Sequence, residues 1–427
     1  MTVRDPIYGR FSLPEFLQKL VLTPEVRRLS QIRLLNTLTP TLATLGDLRR
    51  YSHTLGVSHL AQMNPLAGYT LKESAAFAAS VVLHDIGTPP FGHIFEYHLR
   101  EMSGWSHEGV IHSILWGFHA PENRAHQIFG GRTLGVRSVI RRTRVSLELI
   151  QAIITRKHPL AALLFGSLDL DNVDNVVRMA WALGLKAPST IATDLALGLS
   201  ASREGILLLS KARLQPAVEQ WAQLRRRVYE ILVFDPSTVA SQACLSEAIE
   251  IALKVGFLSE HDWCLYDELL IERLRSHTST KRLISRDYLG ETPRLIYALQ
   301  VRGGLADYQF ASRAAAKTLI SGLLVEQFPK AKALAYAFVD HGAFEKRLDF
   351  VDPDNGEPWS VGDNSRSVVL YGFSRTGDIP TAQAAMAVNR LKSKIGVRED
   401  SVLRCVLPNA KEEDEVGDQP QLTLPAF

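Results

Sequence analysis

Long apolar runs, paired cysteines and net charge are all scarce in this chain of 427 residues. No stretch of about 18 apolar residues occurs, which excludes a membrane-spanning helix and leaves no membrane partner to expect. The beginning, MTVRDPIYGRF, lacks the apolar core of a secretory leader, so the expected location is cytoplasmic. Three cysteines, Cys244, Cys264 and Cys405, lie far apart with no CxxC pair. That pattern argues against a disulfide frame or a zinc knuckle and fits a reducing compartment. Forty-eight basic residues against forty-five acidic ones leave a formal charge of +3. So small an excess cannot make the whole surface a trap for polyanions, and any contact with nucleic acid has to be local. Alternating strand patterns are also rare up to about residue 345.

Helical spacing is what the chain has in quantity. TLKESAAFAASVVLHD opens with Thr70 and Glu73, the two ends of a capping box, and then runs apolar to His84 and Asp85. Further helices are expected near 13–37, 54–63, 94–103, 107–117, 144–156 and 170–184, with more between 203 and 345. The fold class expected is mainly all-α, a helical bundle with a small C-terminal α/β extension. Residues 1–200 read as the core of the bundle and 201–350 as a helical extension packed on it. FVDPDNGEPWSVGDNSR, dense in turn residues, reads as the link to a small unit over 351–408 that holds the strand RSVVLYGFSR and the helix TAQAAMAVNRLKSKIG. Residues 409–427 read as a disordered acidic tail.

Chemistry concentrates around SVVLHDIGTPPFGHIFE. Gly87 and Pro89 stop the preceding helix, so the side chains of His84 and Asp85 can converge at its end. LRRYSHTLGVSHLA supplies His53 early in another helix. FGSLDLDNVDNVVRMA sets Asp169, Asp171 and Asp174 near the start of a third, where any of them could also serve as a cap. Two imidazoles and two carboxylates from three helices suit a divalent cation in octahedral geometry, with two positions left for water and a substrate oxygen. Such a centre favours phosphate hydrolysis, since the cation acidifies water and draws charge from a phosphoryl oxygen. His59 and His98 read as packed or hydrogen-bonded histidines. The basic runs at 141–144 and at Arg225 to Arg227 read as solvated helix faces, with a local nucleic-acid contact as the alternative.

The order His53, then His84 with Asp85, then Asp171 resembles the HD superfamily of metal-dependent phosphohydrolases. DPIYG at 5–9, RRYSHTLGVSHLA at 49–61, VVLHDIGTPPFGHIFE at 81–96, HE at 107–108 and SLDLDNVDNVVRMAWALG at 167–184 resemble one subfamily more closely. This is the deoxynucleoside triphosphate triphosphohydrolases, including the SAM-and-HD-domain enzymes. The resemblance implies four metal ligands, His53, His84, Asp85 and Asp171, for Mn, Fe, Mg, Co, Ni or Zn. It implies Arg50 and His93 against phosphate, and His107 with Glu96 in proton transfer. It also implies a nucleotide substrate and a homo-oligomer.

The sequence departs from that family where the sugar is read. Thr88 stands in place of a histidine that acts in catalysis, and threonine is no general acid near neutral pH. Asn172, Asn175 and Met179 stand in place of a lysine, a tyrosine and an aspartate that meet phosphate and sugar, which makes Asn172 and Asn175 the substrate-facing candidates here. The function expected is therefore a phosphohydrolase acting on nucleotides, resembling the triphosphohydrolases. The alternatives are a phosphodiesterase or nuclease on single-stranded or cyclic oligonucleotides, and a regulator that senses nucleotides without turnover.

Overall fold

A computed structural model describes the chain apart from residues 40, 118–134, 188–189, 289, 341 and 409–427, so the expected tail at 409–427 lies outside the described residues. Helices account for 55% of the described residues. No described helix is long and apolar enough to cross a membrane. The chain forms two compact units. The first takes Met1–Pro293 and Asp340–Ser367, the second Arg294–Val339 and the chain from Val368 onward. This division is interleaved, unlike the linear boundaries expected at 200 and 350.

The first unit is a helical frame. The helix Arg50–Met63 packs on Leu71–Leu83 and on Leu170–Ala182, and Leu170–Ala182 packs in turn on the long helix Lys211–Phe234. Thr70 and Glu73 form the expected capping box. The helix starting at His107 is capped by Ser106, and the one starting at Leu170 by Asp169. The single helix expected near 13–37 is instead Glu15–Val21, Pro24–Arg27 and a 3-10 turn, Arg28–Gln31. Pro24 fits the first position of a new helix but has no N–H with which to continue the old one.

Two glycines let helices approach where side chains must meet. A Cβ on Gly56 would lie 2.1 Å from Asp174 Oδ1. A Cβ on Gly87 would lie 2.5 Å from the carbonyl oxygen of His107. A side chain at Gly56 would displace the carboxylate of Asp174 and the guanidinium of Arg178, and one at Gly87 would displace the backbone of His107.

The turn-rich segment expected to be a linker is a hairpin of the first unit. Leu348–Val351 pairs antiparallel with Pro358–Val361, and Leu208 pairs in parallel with Val351. Phe350 and Trp359 are buried in the core of that unit, and the Trp359 indole donates to the carbonyl of Leu209 at 3.0 Å. The same Pro, Gly, Asp and Asn residues that make a linker also make a tight turn, and composition does not separate the two.

The second unit is α/β. Its sheet has the strand order Val402–Val406, Arg294–Arg302, Ser367–Ser374, Leu334–Asp340. The strand expected at 366–375 is present as Ser367–Ser374. The strands Arg294–Arg302 and Leu334–Asp340 fall within a span expected to be helical. Arg294–Arg302 is buried on both faces through its middle, so it shows no alternation and reads like a piece of buried helix.

Candidate metal centre

His84 is the C-cap of the helix Leu71–Leu83, and its Nδ1 donates to the carbonyl of Val81 at 2.7 Å. That bond places the ring proton on Nδ1 and leaves the Nε2 lone pair bare. Nε2 is buried without a hydrogen-bond partner, 3.5 Å from Asp171 Oδ1 and 3.6 Å from Asp85 Oδ2.

His53 comes from the facing helix. Its Nε2 is 2.7 Å from Asp171 Oδ1 and its Nδ1 is 2.7 Å from Asp174 Oδ2. Asp174 is wholly buried and accepts from Arg178 Nε and Nη2 at 2.9 Å each, while Arg178 Nη1 donates to Asp5 at 3.0 Å. The Asp5 of DPIYG thus anchors, through Arg178 and Asp174, the imidazole of His53. Ligand atoms of His53, His84 and Asp171 all lie within 4.8 Å of one another.

Burial works against charge on every member of this cluster, and the neighbouring groups override it. His53 is pushed up to about 9 by Asp171 and Asp174 despite burial. His84 is raised by Asp85 and Asp171 against the same penalty. Asp171 is held well below the usual carboxylate range by His53 and His84. Asp174 is held at about 2, mainly by Arg178 and His53. The carboxylates draw positive charge to this spot. The donor set, two imidazole nitrogens and a carboxylate with one lone pair unpartnered, fits a divalent transition ion.

Asp85, expected as the fourth ligand, stands at the edge of the cluster. Its Oδ2 accepts from Arg50 Nη1 at 2.9 Å, and its Oδ1 accepts from Thr88 Oγ1 at 3.0 Å. Arg50, expected against phosphate, is buried and paired with Asp85. Thr88 therefore orients a carboxylate, a role open to any hydroxyl.

Glu96 gathers a second group. Its Oε1 is 2.9 Å from His107 Nδ1 and 2.7 Å from Arg100 Nη2, and its Oε2 is 3.1 Å from His93 Nδ1. His107 and His93 hold Glu96 far below the usual carboxylate range against burial, and Glu96 raises His107. The His93 side chain is 73% exposed, against 24% for His107.

The asparagines divide. Asn172 donates through Nδ2 to both Asp169 oxygens at 3.0 Å, so it closes the helix cap where a substrate contact was expected. Asn175, one turn beyond Asp171 on the same face, has its Oδ1 buried without a partner. Met179 is core. His59 stacks on Phe11 and His98 bonds Ser246, as expected of packed histidines.

Sequence reasoning missed two arginines. Arg178 stands four residues after Asp174, a spacing that brings the two together on a helix and was legible. Buried Arg28 donates to the carbonyls of Ile86, Thr88 and Leu265, fixing the loop after Asp85, and burial lowers it to about 10. Its partners lie far along the chain, and no local pattern signals it.

No family model matches the chain. It is similar to the deoxynucleoside triphosphate triphosphohydrolase SAMHD1 homolog of Dictyostelium discoideum, 26% identical over 158 residues, 29% of this chain and 30% of that protein. It is also similar to the uncharacterized protein YwfO of Bacillus subtilis, 22% identical over 270 residues, 60% of this chain and 58% of that one. Each of these two matches spans less than two thirds of the relative's own length. A crystal structure of a phosphohydrolase from Bacteroides thetaiotaomicron shares the fold, with a TM-score of 0.62 at 16% identity over 87% of this chain and 99% of that one. In motif order, fold and relatives the chain resembles the HD-superfamily phosphohydrolases.

Proposed function

We propose that this protein is a divalent-metal-dependent hydrolase of nucleotide phosphates, of the deoxynucleoside triphosphate triphosphohydrolase type. The observation that carries the reading is the convergence of His53, His84 and Asp171 within 4.8 Å, with His84 Nε2 unpartnered. His53, His84 and Asp171 would hold the cation, with Asp85 beside them. When bound, the cation supplies Lewis-acid polarisation of a phosphoryl oxygen and acidifies the attacking water.

The rest falls to the protein's own groups. Asp174 orients His53 and keeps its Nδ1 protonated, which aims Nε2 inward. Arg50 fixes Asp85 and offers its remaining N–H groups to phosphate. Glu96 holds the proton on His107 Nδ1, so a second proton at Nε2 is available to the leaving oxygen. His93, exposed beside Glu96, meets the phosphate chain from solvent.

A second reading is phosphodiester cleavage. Asn172 folded into the cap and Met179 in the core leave few groups here to recognise a deoxyribose. The test supplies Mn, Fe, Co, Ni, Mg or Zn to the purified chain with nucleotides and with labelled single-stranded oligonucleotides. Release of phosphate, pyrophosphate or triphosphate from nucleotides supports the first reading, and shortening of oligonucleotides the second. Tight nucleotide binding with neither product would make the protein a sensor.

A further inference from the structure

The loop that joins His84 and Asp85 to His93 is strained where it turns. Phe91 is left-handed, with φ at 54°, and Gly92 follows with φ at 50°. Glycine takes that conformation freely, whereas for a residue with a side chain it costs about 1–2 kcal/mol. Phe91 is fully buried, and its backbone N–H donates to Asp267 Oδ1 at 2.9 Å. The helix His93–Ser103, which carries His93 and Glu96, begins two residues further on. Backbone strain of this kind persists only where the surroundings hold it.

Asp267 comes from the first turn of a helix far along the chain, Asp267–Ser276. Its side chain has no exposed surface, and its second oxygen is committed to a different segment. Oδ2 accepts from the backbone N–H of Arg33 at 2.7 Å and from Arg33 Nη1 at 3.4 Å. Arg33 is bridged antiparallel to Arg49, and the N–H of Arg50 donates to the carbonyl of Ile32 at 2.9 Å. These bonds fix the start of the helix Arg50–Met63, which carries Arg50 and His53.

One buried carboxylate therefore grips two walls of the candidate centre, one through each oxygen. The ligand imidazoles have supports of their own, His53 in Asp174 and His84 in the carbonyl of Val81. Arg28 fixes the loop at Ile86 and Thr88, nearest those ligands, and Asp267 fixes it at the turn into His93. Hydrogen bonds from backbone N–H groups to a carboxylate are of the stronger kind, which suits a group that has to hold a strained turn.

We infer that Asp267 is a positioning residue, which sets His93, Glu96 and His107 in place relative to the metal cluster by tying Phe91 to Arg33. Its effect on turnover rests on the phosphohydrolase reading; its hold on the two walls does not.

The test is Asp267→Asn in the full-length protein. The amide keeps the shape, but its NH2 has to face the N–H of either Phe91 or Arg33, so one wall is released. Hydrogen exchange is expected to quicken over residues 86–93 or 32–34, with the rest of the chain near wild type. Mn affinity and KM are expected to stay near wild type while kcat falls about 10- to 100-fold, as a small misplacement of reacting groups does. A residue that serves folding alone would lower the melting temperature and leave kcat per metal-loaded molecule unchanged, and that result overturns the inference. So does exchange over both segments as slow as in wild type. A measurement on wild type needs no folded variant: the amides of Arg33 and Phe91 are expected to share one opening free energy, and independent opening of the two overturns the tie. If wild type with Mn bound turns over no nucleotide, the hydrolase reading fails, and exchange alone decides the tie.

Discussion

His53 Nδ1 lies 2.7 Å from Asp174 Oδ2, and Asp174 itself accepts from the Nε and Nη2 edge of the Arg178 guanidinium. A ligand imidazole backed by a carboxylate is held in one tautomer and one orientation, and its other nitrogen is more basic for it. Asp174→Asn keeps the shape and removes the charge. Divalent-ion affinity is expected to fall about 10- to 100-fold, read by metal titration. Arg178 loses half of its compensation, so the same variant is also expected to melt earlier.

Gly56 sits where the helices carrying His53 and Asp174 approach, with room for no Cβ. Gly56→Ala is expected to lose about 1–3 kcal/mol by overpacking, read by denaturant unfolding. Metal affinity is expected to fall with it, because the displaced atoms are Asp174 and Arg178.

Glu96 raises the pKa of His107 against burial. A group kept protonated to higher pH extends acid catalysis upward in pH. In Glu96→Gln the alkaline limb of kcat/KM is therefore expected to move to lower pH. His107→Gln is expected to lower kcat by about 10²–10⁴. An unmoved limb in Glu96→Gln would separate Glu96 from proton transfer.

Asp287 is buried, bonded through Oδ2 to Ser241 at 2.8 Å, with Oδ1 unpartnered, and burial pushes its carboxyl up to about 6. An acid whose folded value lies above its unfolded value of 3.8 favours the protonated form when folded. Its contribution to stability is thus present at pH 4 and below and is lost as pH rises towards 6 and beyond. Asp287→Asn is expected to flatten this decline, matching wild type near pH 4 and exceeding it by about 1–3 kcal/mol at pH 7.5, read by unfolding at the two pH values.

The legible parts of the sequence were those whose physics is local. Thr70 and Glu73 announce a helix start three residues apart, and His84 with Asp85 marks its end before Gly87. The candidate metal ligands His53 and Asp171 were legible because a short motif surrounds each. What stayed hidden depends on distant partners or on ambiguous composition. The backbone carbonyls that Arg28 holds include Leu265, and the inward turn of Arg225 is set by Ala343. Asn172 looked free for substrate because nothing in the spacing says that it bonds Asp169 rather than a ligand. The hairpin at 348–361 and the strand Arg294–Arg302 were misread because turn residues serve linkers and hairpins alike, and a strand buried on both faces shows no alternation.

Hydrolysis is proposed to require a divalent cation held by His53, His84 and Asp171. The most direct measurement is the stoichiometric binding of Mn to chelator-treated full-length protein, with hydrolysis assayed on the same samples. Wild type is expected to bind Mn saturably with activity restored in parallel, and folded His84→Ala and Asp171→Ala are expected to lose both. Variants that bind Mn as wild type does, or nucleotide hydrolysis by wild type that persists under chelation and survives both substitutions, would contradict this requirement.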